Sequence, residues 1–76
     1  MNKQRRESIA KLADQIRDIA SELETIKDEE QEYFDNMPES LQQGEKAQIA
    51  ENAISEMDDA ISSLENAESS LESAQE

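Results

Sequence analysis

The sequence predicts an all-α fold: two long antiparallel heptad-patterned helices that close into a helical hairpin and assemble into a helical homo-oligomer. Three features predict it. Large apolar residues recur at alternating three- and four-residue spacing in two separate stretches, the pattern of a helix with one apolar stripe. The only Pro and the only Gly, Pro38 and Gly44, lie between those stretches. A chain of 76 residues buries too small a share of its surface to be stable on one narrow seam, so association must supply the rest.

The first stretch runs Ile9, Leu12, Ile16, Ile19, Leu23, Ile26, Glu30, Tyr33 and Met37. It is an unbroken frame of a and d positions with one acidic defect, Glu30. The residues between are mostly good helix formers, and neither Gly nor Pro interrupts before Pro38. A helix is therefore expected over residues 7–35, ~44 Å long. Ahead of it, residues 1–6 form a flexible basic end carrying Lys3, Arg5 and Arg6.

Residues 36–44 must turn the chain. Pro38 disfavours helix at Met37, Gly44 is available as a C-terminal cap, and Asn36 is placed to cap a one-turn helix with Pro38 in its first positions. Beyond the bend, the segments starting at Ala53, Ala60 and Ala67 repeat with a period of seven, which predicts a second helix over residues 45–75 of matching length. It also carries one acidic residue in its stripe, Glu68. Ala13 and Ala20 on the first helix, and Ala53, Ala60, Ala67 and Ala74 on the second, flank the stripes and leave grooves that a further helix can fill.

Charge orients the return. The chain carries a net −13, divided as +2 over residues 1–20, −8 over 21–45 and −7 over 46–76. Folding back sets Glu65, Glu68 and Glu72 beside Lys11 and Arg17, whereas a parallel arrangement would set acidic halves against each other.

The same charge excludes general affinity for nucleic acid, which needs cations to neutralise phosphates. No apolar run approaches the ~20 residues needed to cross a bilayer, so a soluble cytoplasmic protein without a membrane partner is expected. There is no Cys and no His, which removes thiolate chemistry, the usual zinc ligands and the side chain that titrates near neutrality. The serines lie on a solvated helix face with no base to activate them. No catalytic residue, no metal ligand and no cofactor is expected, and the chain is expected not to be an enzyme. Asp28, Glu32 and Asp35 share a helix face but lack the Gly-containing loop of a calcium site.

Two sets of residues remain as binding candidates. Tyr33 and Phe34 are the only aromatics and adjoin the bend; they either plug the hairpin tip or stack on a ligand base. Arg5, Arg6 and Lys11 from several copies could converge on phosphates, and Glu30 either fixes register or lines a polar pocket between protomers. The alternative set is acidic: Glu22, Asp28, Glu32, Asp35 and Glu39 form a ridge resembling a row of phosphates.

The stretch Tyr33-Phe34-Asp35-Asn36-Met37-Pro38-Glu39-Ser40-Leu41-Gln42, preceded by Asp28-Glu29-Glu30-Gln31-Glu32 and followed by Gly44-Glu45, resembles the centre of a group of short acidic helical-hairpin proteins encoded by bacteriophages and prophages. The resemblance extends in pattern over residues 20–72 and is specific around the bend. It implies a phage or mobile-element origin and the host cytoplasm as the place of action; it transfers no site. On that basis the expected function is a non-enzymatic, homo-oligomeric counter-defence protein that sequesters a small nucleotide immune signal at protomer interfaces. The alternative is an acidic nucleic-acid mimic that occupies a basic groove of a host defence protein. A scaffolding or regulatory hairpin is the third.

Overall fold

A computed structural model describes all 76 residues as an extended helical hairpin. Helix α1 spans Lys3–Asp35 and helix α2 spans Glu45–Ala74, joined through a single 3-10 turn at Glu39–Leu41. The molecule measures 59 × 14 × 12 Å, so one long helix-to-helix seam is its whole interior.

Helix α1 starts four residues earlier than the periodicity indicates. Asn2 stands in an extended conformation ahead of Lys3 and its Oδ1 accepts a hydrogen bond from the Arg5 backbone N–H at 2.8 Å, which satisfies one of the unpaired donors at a helix start. The basic end is thus helical. At the other terminus Asn36 closes α1, its N–H directed at the carbonyls of Glu32 and Phe34. It does not cap the short turn; Pro38, with φ −57° and ψ 144°, precedes that turn without a side-chain cap. Gln42 Nε2 donates to the Met37 carbonyl at 3.1 Å and holds the bend together. Gly44 is not a C-terminal cap either. It occupies the N-cap position of α2 at φ −89°, ψ 179°, and no residue in the chain has positive φ.

The inward-facing residues differ from the expected stripe on α1. Buried or half-buried are Ile9, Ala10, Ala13, Ile16, Ala20, Leu23, Lys27, Glu30, Phe34 and Met37, while Leu12, Ile19, Ile26 and Tyr33 are exposed. The row Ile9, Ile16, Leu23, Glu30 and Met37 belongs to both frames; its companions on one side are Ala13, Ala20, Lys27 and Phe34, and on the other the four large exposed residues. On α2 the inward set is Ala47, Ala50, Ile54, Met57, Ile61, Leu64, Glu68, Leu71 and Gln75, as the periodicity of that helix implies.

Register explains the choice on α1. Arg17 bonds Glu68 and Lys27 bonds Asp58, and each pair of numbers sums to 85, so residues whose numbers sum to about 85 stand level across the seam. Ala13 is then level with Leu71, Ala20 with Leu64, Phe34 with Ala50 and Met37 with Ala47. A small residue faces a large one at each of these levels, which lets two helix backbones close without voids or overlap. Had Leu12 and Ile19 faced inward, large would have met large. Only Ala13, Ala47, Ala50 and Ile61 are buried, and three of those four are alanine.

Candidate functional site

One flank of the hairpin is ionic. Arg17 Nε donates to Glu68 Oε2 at 2.6 Å and its Nη2 to Glu72 Oε1 at 3.3 Å, while Nη1 lies 3.6 Å from Asp14. The hydrogen bond and charge of Glu68 raise the Arg17 pKa above its ordinary value. Further along, Lys27 Nζ donates to Asp58 Oδ1 at 2.7 Å, and that hydrogen bond raises the Lys27 pKa. Glu68, the acidic residue in the stripe of α2, is thereby explained: it holds the antiparallel register through Arg17. Of the residues expected side by side, Arg17 meets Glu68 and Glu72, while Lys11 and Glu65 form no ion pair and Lys27 supplies the second cross-helix bond. Its signal was present in the sequence, since Lys27 lies seven residues after Ala20 and seven before Phe34.

Around the bend, Tyr33, Asn36, Met37, Pro38, Leu41, Gly44, Glu45 and Lys46 enclose an open cavity of about 540 Å³, within the size range of small-molecule sites. Phe34 is not part of it. Adjacent helical residues point about 100° apart, so Phe34 turns into a separate shallow groove beside Gln31, Glu51, Ile54 and Asp58. Glu30 is half-buried in the seam and forms no ion pair; no buried side-chain polar atom lacks a partner. Arg5, Arg6 and Lys11 lie near the opposite end of α1, ~42, ~41 and ~33 Å from Tyr33 at the helical rise. A single chain therefore brings Tyr33 together with Lys46, which sequence reasoning missed, and with none of the expected basic residues.

Of the expected acidic set, Glu22, Asp28, Glu32 and Asp35 lie on α1, while Glu39 falls in the 3-10 turn beyond it. Glu22, Glu24, Asp28, Glu29, Glu30, Glu32 and Asp35 lie in one stretch of α1, about one carboxylate per 3 Å of helix axis, close to the 3.4 Å charge spacing of one nucleic-acid strand. Their only side-chain bond is from Gln31 to Asp35 at 3.0 Å. No ion pair neutralises any of them. Glu32 and Asp35 also oppose the helix dipole. The first turn of α1 holds no acidic residue and the last turn no basic one, with Lys3, Arg5 and Arg6 at the start and Glu32 and Asp35 at the end. An exposed charge at the wrong pole costs roughly 0.3–1 kcal/mol.

The fold and this surface define a class: a small helical hairpin with one ionic flank, one apolar flank and an unneutralised acidic half. Neither helix is long and apolar enough to cross a membrane. No protein-family model, curated protein or solved structure matches the chain.

Proposed function

We propose that the chain is a non-enzymatic, homo-oligomeric binding protein whose acidic half-helix occupies a basic groove of a partner protein. One observation carries the proposal: seven carboxylates crowd the C-terminal half of α1 without an ion pair, and the last two, Glu32 and Asp35, stand at the wrong pole of the helix dipole. Local rules broken at a cost to stability are the signature of a surface kept for binding. The resemblance of the bend to phage-encoded proteins supports a host defence protein with a nucleic-acid groove as the partner class.

Binding of this kind must be steeply salt-dependent, because many screened charge pairs form together. The test is capture of host protein on the immobilised hairpin, with duplex DNA as competitor. The combined change Asp28→Asn, Glu32→Gln and Asp35→Asn should abolish a capture that DNA and salt also reverse. Those substitutions relieve repulsion and wrong-pole charge, so helicity should be unchanged or higher by circular dichroism. Capture that survives both the substitutions and high salt sinks the proposal.

A second reading, sequestration of a small nucleotide signal, is favoured by the bend cavity, where Tyr33 offers a stacking face and Lys46 a cation. Calorimetric titration with cyclic dinucleotides, cyclic trinucleotides and ADP-ribose derivatives tests it. Binding that Tyr33→Ala removes, with weak salt dependence, would replace the acidic reading, since stacking supplies roughly 1–3 kcal/mol per base.

A further inference from the structure

The hairpin leaves a second apolar surface open. Leu12, Ile19, Ile26 and Tyr33, spaced seven apart, are 51, 52, 53 and 49% exposed, and each precedes an inward-facing residue of α1 by one position. On α2 the residues one position before Ile54, Ile61, Glu68 and Gln75 are Ala53, Ala60, Ala67 and Ala74; the last three are exposed and Ala53 is half-buried.

These two rows share one side of the molecule. Arg17 follows inward-facing Ile16 by one position and Glu72 follows Leu71 by one; the two meet at 3.3 Å, which marks their side as the ionic flank. In antiparallel helices the positions preceding the inward residues then lie together on the opposite flank. That flank is a ridge of large side chains beside a furrow of alanines.

We propose that this flank is a self-complementary docking surface and that its occupant is a second copy of the chain, seated about a two-fold axis parallel to the hairpin, with both bends at the same end. This seating gives the homo-oligomer of the proposed function its interface and rests on that part of the reading. Such an axis sets α1 on the α2 of the partner without changing height. Residues whose numbers sum to about 85 are therefore level between copies as well as within one. Leu12 meets Ala74 of the partner subunit, Ile19 meets Ala67 of the partner subunit, Ile26 meets Ala60 of the partner subunit and Tyr33 meets Ala53 of the partner subunit. All four pairs sum to 86, and ridge enters furrow at every level.

The area is sufficient. A face 59 Å long and 14 Å wide offers about 800 Å² per partner, the size of a standard specific interface. The rim charges agree with this axis as well. Gln15 and Glu22 of α1 stand level with Ser70 and Ser63 of the partner subunit, which can donate hydrogen bonds, and only Glu29 meets a like charge, Glu56 of the partner subunit. A two-fold axis across the hairpin would instead set ridge on ridge, alanine on alanine, and bring Glu22 towards its own copy. The carboxylates of Asp28, Glu32 and Asp35 lie on other rows of α1, so two acidic surfaces remain open at one end of the pair.

The chain has no cysteine, which makes a cross-linking test clean. Ile26→Cys and Ala60→Cys chains, refolded together and oxidised, should yield a mixed disulfide at twice 8.6 kDa. Ile19→Cys mixed with Ile26→Cys should yield none. Ala60→Leu, which fills the furrow at a site exposed in the single hairpin, should halve the sedimentation mass. A monomeric parent chain, a mass unchanged in Ala60→Leu, or a cross-link only in the Ile19 and Ile26 mixture would each overturn the seating. Partner capture reports separately. Capture without the Ile26 to Ala60 cross-link leaves the acidic function standing, and the cross-link without capture leaves the seating.

Discussion

The two flanks of this hairpin are built from the same helices and do opposite things. On one, Arg17 reaches Glu68 and Glu72, and Lys27 reaches Asp58; on the other, four large apolar side chains stand half-exposed beside alanines. The ionic pairs are exposed and worth little each, yet they fix which residues are level and therefore which large side chain meets which small one. The apolar flank has no such role within one chain. Apolar surface is the stronger source of free energy on burial, roughly 25 cal/mol per Å², so the flank that contributes nothing to the single hairpin has the most to contribute to an assembly. Polar contacts here select an arrangement, and apolar contacts stabilise it.

The comparison breaks most completely at the seam that both flanks share. Ile61→Asp places a charge at one of the four buried positions, level with Leu23, where Arg17, the cation bordering the same groove, is already bonded to Glu68 and Glu72. A loss of 3–5 kcal/mol is expected, of the order found when a buried charge stands unpaired, and helicity and assembly should disappear together in circular dichroism and sedimentation. Helicity that survives would mean that the seam is not the stabilising element.

A smaller effect isolates the ionic flank. The Lys27 pKa is raised above its ordinary value of 10.5 by the hydrogen bond to Asp58, so the stability contributed by this pair is fully present below pH 10.5 and is lost as pH rises through the raised value. Lys27→Met should leave the melting temperature at neutral pH nearly unchanged, because a thioether level with Met57 offsets a weak surface pair. It should also flatten the decline in melting temperature at alkaline pH. Superimposable alkaline profiles for parent and variant would remove Lys27 from the register.

The smallest expected effect lies at the bend, on neither flank. Gly44 occupies an N-cap position with no side-chain cap, in extended backbone that any residue can adopt, and an added Cβ would sit 3.3 Å from the Leu41 carbonyl. Gly44→Ser supplies the missing acceptor and should raise stability by a few tenths of a kcal/mol, read as a small upward shift of the melting temperature without change in mass. A clear loss would mean that the Leu41 carbonyl cannot move aside.

Two helices, the bend and the contact of Arg17 with Glu68 and Glu72 were all legible in the sequence, because periodicity, Pro38 and the charge division point the same way. The facing of α1 was not. Ile9, Ile16 and Leu23 fit two frames equally, and choosing the larger companions, Leu12 and Ile19, ignores that the helix opposite supplies Leu64 and Leu71 at those levels. Only pairing between helices decides such a case. The helix start at Lys3 was readable from Asn2, a strong N-cap residue, but the basic charges that follow oppose the dipole and masked it. Tyr33 and Phe34 looked like one aromatic surface through adjacency in sequence, which on a helix means divergence. Of the acidic row, the helix collects Glu22, Asp28, Glu32 and Asp35, whereas Glu39 falls in the turn that Pro38 introduces.

The uneven charge along a 59 Å rod gives the molecule a front and a back. The basic residues of α1 sit beside the acidic end of α2 and soften the field there, while at the bend Lys46 alone stands against the carboxylates. In the field of a cationic surface such a rod experiences a torque before it makes any contact, and it turns its bend forward. With a screening length of about 8 Å at physiological ionic strength, this alignment acts only over the last stretch of the approach. At low salt it would reach several times further, so the rate of encounter should respond to salt more sharply for the rod approaching end-on than its total charge alone implies.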